Sequence, residues 1–295
     1  MPPISSRRGD PGWTRTRELL ASGGRFLPLL PVLAYLLILY VYPLLQIFKL
    51  SLFDPEPTLR HYQHFLRVSV YADRLIFTFR IALLVTGMSV LLGYPVAFLL
   101  TTVSTRTRNV LLMMVVVPFW ISILVRTYAW MVLLGRDGLI NNVLSAVGLI
   151  ATPLRLIHNT FGVYIGMVHV LLPFAILPMY SVMQGIDVDL LKAAQSLGAN
   201  SLRSFLRVFL PLSLPGVAGA ALLVLILALG FYVTPVLLGG PSDIMIANLI
   251  DMQISQFLNW GFGSTLAIVL LAVSMSVFYV YNRFLGLDRL IGGFQ

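Results

Sequence analysis

The sequence has no cysteine and only two lysines, Lys49 and Lys192. The absence of cysteine excludes a disulfide framework, a thiolate metal site and a cysteine nucleophile. Neither lysine follows a glycine, so the chain lacks the Gly-Lys-Ser/Thr ending with which a P-loop holds nucleotide phosphates. The protein therefore cannot be a P-loop ATPase by itself.

Charged residues are also scarce. They make up 11% of the 295 residues, whereas hydrophobic residues make up 58%. A soluble globular chain is about a quarter charged, and a disordered chain combines high charge with low hydrophobicity. The composition excludes both classes and is typical of a polytopic membrane protein. The formal net charge of +9 does not indicate nucleic-acid binding, because the basic residues are scattered between apolar runs.

Six apolar runs are long enough to cross a membrane as helices, which takes about 20 residues each. They cover roughly residues 27–50, 76–103, 110–134, 161–184, 210–238 and 263–285. Runs such as 220–229 do not alternate between polar and apolar residues, which disfavours a β-barrel. The predicted fold class is all-α, a polytopic membrane bundle of six transmembrane helices.

Basic residues are distributed unequally between the two sides of these spans. With the N-terminus in the cytoplasm, the inner segments carry twelve: Arg7, Arg8, Arg15, Arg17, Arg25, Arg106, Arg108, Lys192, Arg203, Arg207, Arg283 and Arg289. The outer segments carry five, or six with Lys49: Arg60, Arg67, Arg74, Arg136 and Arg155. Because basic residues accumulate on the cytoplasmic side, both termini are predicted to be cytoplasmic. The first span is too long for a cleaved signal peptide and is predicted to be an uncleaved anchor.

Composition also divides the chain into regions. The predicted regions are a flexible cytosolic tail at 1–25, the first transmembrane helix with an outer loop at 26–74, the main transmembrane domain at 75–287 and a cytosolic tail at 288–295. The outer loops that are long enough for short interfacial helices are 51–75, 135–160 and 239–262. Gly135 to Gly138 is predicted to form a turn, followed by an amphipathic piece from Leu139 to Leu149.

The loop between the fourth and fifth spans has a distinct pattern. Asp187 or Asp189 can cap a helix start, and the apolar residues that recur at helical spacing behind them are Leu190, Ala193, Ala194 and Leu197. Gly198 and Asn200 tolerate a positive φ and predict a break. A second helix is predicted from Ser201, and its apolar face carries Leu202, Phe205, Leu206 and Phe209. Pro211 and Pro215 are predicted to set the turn into the fifth span.

Two interpretations fit this loop. Its two short helices can form a protruding element against which another protein docks, since alanines allow a close approach and Leu197 offers an apolar contact. The loop can equally be an ordinary amphipathic segment that lies on the membrane surface.

A family resemblance favours the docking element. Lys192-Ala-Ala-Gln-Ser-Leu-Gly198, followed by Leu210-Pro-Leu-Ser-Leu-Pro-Gly216, resembles the EAA loop of ABC importer permeases. Leu92-Gly-Tyr-Pro-Val-Ala97, Leu124 to Trp130 and Phe231 to Gly240 are similar to the spermidine/putrescine branch of that family. The resemblance covers about residues 75–285. One departure is Lys192, which stands where the family has glutamate and reverses a charge at the docking surface.

The resemblance implies a permease subunit of an ATP-driven importer, not an enzyme, in the bacterial inner membrane. It implies alternating access for a small solute, with a polyamine as the first expectation. The coupling loop spans 187–209, and its implied coupling residues are Lys192, Ala193, Ala194, Leu197, Gly198, Ala199, Arg203 and Phe205. The implied turn into the fifth helix comprises Pro211, Pro215 and Gly216.

The resemblance also implies partners. They are a cytosolic ATPase dimer that uses ATP and magnesium, a second permease that is homologous or identical, and a periplasmic or lipid-anchored binding protein. The chain itself is expected to bind no cofactor, no metal and no nucleic acid.

Polar residues inside the apolar runs are candidates for a translocation path. The path set is Arg126, Tyr128, His169, Tyr232 and Thr234. Arg80 and Arg126 can instead snorkel to the headgroups or pair structurally, and a lone histidine such as His169 can be a hydrogen-bonded helix contact. His61 and His64 have metal-compatible spacing, but no third ligand is evident among their neighbours, so no metal site is predicted.

Three other interpretations stay open at this point. A secondary transporter or channel that works alone predicts inverted repeats and intramembrane carboxylates, and no Asp or Glu lies inside a predicted span. A membrane-bound enzyme lacks a suitable cluster of carboxylates, histidines or nucleophiles. An importer of the same class could also carry another small solute, such as an opine, an iron complex or an organic phosphonate.

Overall fold

The computed structural model describes residues 29–53 and 56–285. The predicted tails at 1–25 and 288–295 lie outside the described residues. In the part of the chain that is described, the fold is helical, and its one β feature is an isolated bridge between Phe53 and Pro57. The predicted all-α class is confirmed.

The described residues form twelve helical segments. In chain order they are α1 (Pro31–Leu52), α2 (Arg60–Arg67), α3 (Ser69–Thr102), α4 (Thr105–Trp120), α5 (Ile123–Leu134), α6 (Leu139–Ala146), α7 (Thr160–Met183), α8 (Val188–Ser196), α9 (Ser201–Leu229), α10 (Val233–Leu238), α11 (Ile246–Asp251) and α12 (Trp260–Leu285). Within these ranges, α1, α3, α7, α9 and α12 are each long and apolar enough to cross a membrane. They correspond to five of the six predicted spans.

The third predicted span, 110–134, is not one straight helix. Helix α4 ends at Trp120, the next helix begins at Ile123, and the two directions differ by 99°. Pro118 explains the break, because proline lacks an N–H and its ring clashes with the carbonyl one turn earlier. The last turn of α4 tightens to a 3₁₀ helix at Val117–Trp120, and Ile121 is extended. The bundle therefore has a sixth span only if this bent pair counts as one.

The core lies where α3, α7 and α9 pack together. The buried apolar side chains that these helices share include Ile81, Val85, Met167, Met179 and Val224. In lipid, helices associate mainly through close packing at small residues. A Cβ on Gly93 would lie 3.0 Å from Met179 Cε, and one on Gly216 would lie 2.8 Å from Val182 Cβ. These two glycines allow α3 and α9 to approach α7 closely.

The fifth span begins and ends earlier than predicted. Helix α9 runs without a turn from Ser201 to Leu229 and contains a π-helical turn at Phe205–Phe209. Pro211 and Pro215 therefore lie inside the helix, which corrects the predicted turn. The Leu210 N–H donates to Phe205 O, five residues back. This wider turn places Pro211 at the start of a new helical run, where a missing N–H is tolerated.

Short helices occupy the three outer loops, as predicted. Helix α2 lies between α1 and α3, α6 follows the turn at Gly135, and α11 precedes α12. The predicted amphipathic piece at 139–149 is helical over Leu139–Ala146. Helix α8 lies in the connection between α7 and α9.

Candidate functional site

The helix that protrudes between α7 and α9 is capped at both ends by local chemistry. Asp187 Oδ1 accepts a hydrogen bond from the Asp189 N–H at 2.9 Å and starts α8. Gly198 ends the helix with a φ of +89°, a conformation that residues with a Cβ rarely adopt. The predicted cap at Asp187 and the predicted break at Gly198 are confirmed.

Asn200 has a different role from the one predicted. Its φ is −73°, and its Oδ1 accepts a hydrogen bond from the Arg203 N–H at 2.8 Å. Asn200 is therefore the N-cap of α9 and not part of a left-handed break. An asparagine two residues after a helix-ending glycine is compatible with both roles, because its short side chain suits caps as well as turns.

Apolar side chains on this element are exposed. Leu197 is 90% exposed and Leu202 is 66% exposed. Lys192, Ala193 and Arg203 are also exposed, whereas Ala194 and Ala199 are half-buried. Two large apolar side chains beside small alanines form a surface that another protein can approach closely. We call residues 187–203 the coupling element.

The charge at the family's glutamate position is balanced within the helix. Lys192 Nζ donates to Asp189 Oδ1 at 2.7 Å, with the lysine 69% and the aspartate 76% exposed. This hydrogen bond, with the attraction between the charges, lowers the pKa of Asp189 and raises the pKa of Lys192. Because both groups are in solvent, the pair contributes little to stability. It does reduce the net charge of the surface around Lys192.

Phe205 packs against the core through aromatic contacts. Its ring lies 5.3 Å from that of Phe98, 6.2 Å from Tyr94 and 5.8 Å from Phe209. Phe205 is half-buried against the core, and Leu191 packs against the same cluster from α8. The aromatic side chains therefore attach the coupling element to α3, while Leu197 and Leu202 face outward. We call Tyr94, Phe98, Phe205 and Phe209 the aromatic joint.

A hydrogen bond continues this joint along α9. Tyr94 OH and Ser213 Oγ lie 2.8 Å apart, and Ser213 Oγ also donates to Leu210 O at 2.9 Å. Gly216 lies one turn further on, against Val182. The segment that contains Pro211, Pro215 and Gly216 is thus a continuous part of α9 in contact with α3 and α7.

Inside the membrane region, Arg126 and His169 share one neighbourhood. Trp130 Nε1 donates to His169 Nδ1 at 3.2 Å, and the two rings meet edge to face at 5.7 Å. Arg126 lies one turn before Trp130 on α5, and its Nε is buried with no hydrogen-bond partner. His169 is thus a hydrogen-bonded helix contact, and Arg126 is a polar group that the described residues leave unsatisfied at Nε.

Of the other three path candidates, Tyr128 lies on α5 two residues after Arg126, Thr234 lies on α10, and Tyr232 directly precedes α10. Thr234 has no exposed surface, and its Oγ1 lies 3.5 Å from that of Thr127. Tyr128 is 54% exposed. Tyr232 OH donates to Asp251 Oδ2 at 2.9 Å, and this hydrogen bond is the main cause that raises the Tyr232 pKa. Tyr128 and Thr234 thus lie near Arg126 along α5, whereas Tyr232 contacts the end of α11.

Three partners were not singled out from the sequence. They are Trp130, Tyr94 and Asp251, to which the sequence assigns no contact. Only the i, i+4 spacing of Arg126 and Trp130 gave a local signal. The hydrogen bonds of Tyr94 and His169 join residues 119 and 39 positions apart, which no local pattern indicates.

These features describe a bundle of membrane-spanning helices with an exposed helical element attached to its core. The chain belongs to the family of inner membrane components of binding-protein-dependent transport systems, whose model matches residues 89–286. It is a multi-pass inner membrane permease of an ABC importer, and its family is a transport family, not an enzyme family. The matched range contains the coupling element, the aromatic joint and Arg126.

Two relatives are spermidine/putrescine transport system permease proteins named PotB. The protein of Haemophilus influenzae is 40% identical over 203 residues, which cover 68% of this chain and 71% of the relative. The protein of Escherichia coli K12 is 36% identical over 214 residues, which cover 72% of this chain and 78% of the relative. These similarities confirm the predicted resemblance to the spermidine/putrescine branch.

A solved structure has the same fold. It is a chain of a bacterial alginate ABC transporter in complex with an alginate pentasaccharide-bound periplasmic protein. The match has a TM-score of 0.68 and 21% sequence identity, and it covers 96% of this chain and 98% of that one. At this identity the likeness establishes the fold and not the solute.

Proposed function

We propose that this permease imports a polyamine such as spermidine or putrescine, and that it is coupled to a cytosolic ATPase dimer through residues 187–203. The observation that carries the coupling is Leu197, which is 90% exposed beside the half-buried Ala194. A large apolar side chain beside small residues is stabilised when a partner protein covers it. The polyamine assignment is supported by the two PotB relatives.

The proposed assembly has four kinds of subunit. Beside this chain it contains the ATPase dimer with ATP and magnesium, a second permease and a periplasmic or lipid-anchored binding protein. The binding protein of the alginate transporter structure supports the last of these. The excess of arginine and lysine on the side of the coupling element supports cytoplasmic termini.

Coupling requires a stiff connection from the docking surface to the spans. In the proposed mechanism, ATP-driven closure of the ATPase dimer moves the coupling element. The aromatic joint transmits this movement to α3, because Phe205 contacts Phe98 and Tyr94. Helix α9 continues directly from the coupling element without a flexible turn. The spans then rotate between two arrangements as packed bodies.

Two separate sets of side chains are proposed to line the translocation path. Tyr232 and Asp251 lie near the outer helices, and the carboxylate of Asp251 offers a counter-charge for an ammonium group. Arg126, Tyr128 and His169 are proposed to line the path deeper in the bundle. Thr234 is proposed to position α10 against α5 through Thr127 instead of touching solute.

One observation favours a second candidate function. The Nε of Arg126 is buried and unsatisfied, and a guanidinium attracts anions such as an organic phosphonate and repels a cationic polyamine. An importer of a small anionic solute is therefore the alternative.

Reconstitution in vesicles distinguishes between a polyamine and a small anion as the transported solute. The chain would be combined with its ATPase, second permease and binding protein, and uptake of labelled putrescine, spermidine and a simple phosphonate would be measured with and without ATP. ATP-dependent uptake of a polyamine alone is expected. Uptake of the phosphonate alone would overturn the polyamine assignment, and uptake without ATP would overturn the coupling.

A further inference from the structure

A cavity of about 330 Å³ lies between α2 and the start of α12, away from the coupling element and from Arg126. The polar side chains that line it include Arg60, His61, His64, Arg67, Gln253 and Asn259. Arginine, histidine and carboxamide side chains can all donate hydrogen bonds. No carboxylate is among its described lining residues. The cavity is therefore suited to an anion.

The basic groups follow one face of α2. Arg60, His64 and Arg67 stand at positions i, i+4 and i+7, which places them on the same side of a helix. A second face is buried, since Phe65 is 8% exposed and packs with Ile246 and Phe262. The buried face fixes the helix to the bundle, and this attachment fixes the direction of the basic face.

A third side of this segment is apolar and exposed, and it comprises Leu59, which directly precedes α2, and Leu66 on α2. Leu59 is 60% exposed and Leu66 is 79% exposed. The helix lies between the end of α1 at Leu52 and the start of α3 at Ser69, so it lies where the bundle meets the membrane surface. An amphipathic helix with basic and apolar faces is typical of the lipid headgroup region.

Aromatic contacts hold one wall of the cavity in place. The ring of Phe262 lies 5.0 Å from that of His64 and 4.8 Å from that of Tyr71. Phe262 itself is buried. Because these rings fix the side chain of His64, this one donor is positioned before an anion arrives.

We propose that this cavity binds the phosphate group of an anionic lipid headgroup. Arginine pairs with phosphate through charge-assisted, often bidentate hydrogen bonds, and Gln253 and Asn259 can donate to the remaining oxygens. The exposed Leu59 and Leu66 favour a lipid over free phosphate, since acyl chains would cover them. This site is separate from solute transport and does not depend on the identity of the solute or on the orientation of the chain.

The test uses the full chain assembled with its partner subunits in nanodiscs. Retention of phosphatidylglycerol and of phosphatidylcholine would be compared by native mass spectrometry after gentle release from the discs. The variant Arg60→Gln/Arg67→Gln is expected to retain about tenfold less phosphatidylglycerol, because two charge-assisted hydrogen bonds are lost. Arg60→Lys/Arg67→Lys, which keeps the charge, is expected to retain an intermediate amount.

The matched control is Arg136→Gln/Arg155→Gln. These arginines line another cavity, in the predicted outer loop 135–160, so the control removes the same charge from a place without histidines or carboxamides. It is expected to retain phosphatidylglycerol like the unmodified chain. An equal loss in the control would overturn the proposal, as would equal retention of both lipids by the unmodified chain.

A further measurement distinguishes the phosphate of a lipid headgroup from free inorganic phosphate. Inorganic phosphate would be added to the lipid-free complex in detergent, and its thermal midpoint would be measured. Stabilisation that depends on Arg60 and Arg67, without retention of phosphatidylglycerol, would overturn the lipid assignment. Unchanged lipid retention in the Gln variant, with loss of binding-protein capture, would overturn it in favour of a protein contact.

Discussion

The coupling element and helix α5 both interrupt the regular bundle, but they leave opposite kinds of group without a partner. The coupling element exposes Leu197 and Leu202 to solvent, whereas α5 buries the Nε of Arg126 without a hydrogen bond. An exposed apolar surface is stabilised by a protein of complementary shape. A buried polar group is stabilised by a polar ligand or by a rearrangement of its surroundings. The coupling element therefore suits a lasting contact with another protein. The surroundings of Arg126 suit a transient contact with a solute.

The largest effect is expected from Gly198→Asp, which places a charge in the docking surface and a side chain at a φ of +89°. An unpaired charge buried in an interface reduces association strongly, so ATP-driven uptake is expected to fall at least about 100-fold. The measurement is uptake into vesicles at equal amounts of inserted protein.

A matched control is available for this variant. Gly148 also has a positive φ, and a Cβ there would likewise meet no atom within 4 Å. Gly148→Asp lies far from the coupling element and is expected to keep full uptake. If both variants lost uptake equally, backbone strain and not docking would explain the loss, and the coupling assignment would be wrong.

Phe205→Ala tests whether the aromatic joint transmits movement. The substitution removes ring contacts with Phe98 and Phe209 but leaves Leu197 exposed for docking. Each aromatic pair contributes about 0.5–1.5 kcal/mol beyond its buried area, so uptake is expected to fall about tenfold. The complex should still form and hydrolyse ATP, because the docking surface is intact.

The control for the joint is Leu206→Ala, one residue further along the same turn. Leu206 is 49% exposed, and its loss is expected to leave uptake nearly unchanged. Measurement of ATP hydrolysis and uptake in parallel separates the outcomes. If Phe205→Ala reduced both equally through loss of the ATPase, Phe205 would belong to the docking surface after all.

Arg126→Gln tests whether the buried guanidinium of Arg126 acts on the solute. Removal of a positive charge from the path is expected to raise putrescine uptake about threefold, because like charges in a low-dielectric site repel. Arg80→Gln is the control, since Arg80 is exposed near the start of α3 and its loss should change little. A fall in putrescine uptake in Arg126→Gln would contradict the expectation and favour a structural role for the guanidinium.

Local chemistry explains which parts of the fold were predictable. The spans follow from runs of apolar residues, and the cap at Asp187 and the break at Gly198 follow from single residue types. The bend after Trp120 was missed, although Pro118 stands in the preceding turn. Proline occurs in transmembrane helices without such a bend, as Pro173 and Pro178 do in α7, so its presence alone did not decide the outcome.

The roles of side chains in the site were harder to predict. Phe205 and Leu202 have the same helical signal in the sequence, yet one lies in the aromatic joint and the other is exposed. The difference arises from α3, which approaches one side of α9 only. The pairing of Trp130 with His169 likewise depends on how α5 lies against α7. Such contacts depend on packing between distant segments, which one sequence does not encode locally.

The smallest effect is expected from Lys192→Glu, which restores the family's residue. It replaces the pair of Lys192 and Asp189 with two carboxylates at positions i and i+3. Like charges at this spacing destabilise a helix only weakly, and we expect uptake to fall about twofold at low salt and less at high salt.

The double variant Asp189→Lys/Lys192→Glu decides why Lys192 is tolerated in place of glutamate. It reverses the pair but keeps the hydrogen bond and the net charge of α8. If the pair acts only within the helix, uptake returns to that of the unmodified chain, and that is the expected result. If the double variant stays as weak as Lys192→Glu, the ATPase surface recognises the lysine itself, and an acidic residue on the ATPase must face position 192. In that case the docking contact would combine the exposed Leu197 with one specific ion pair, and an ATPase from a permease that carries glutamate there would couple poorly to this chain.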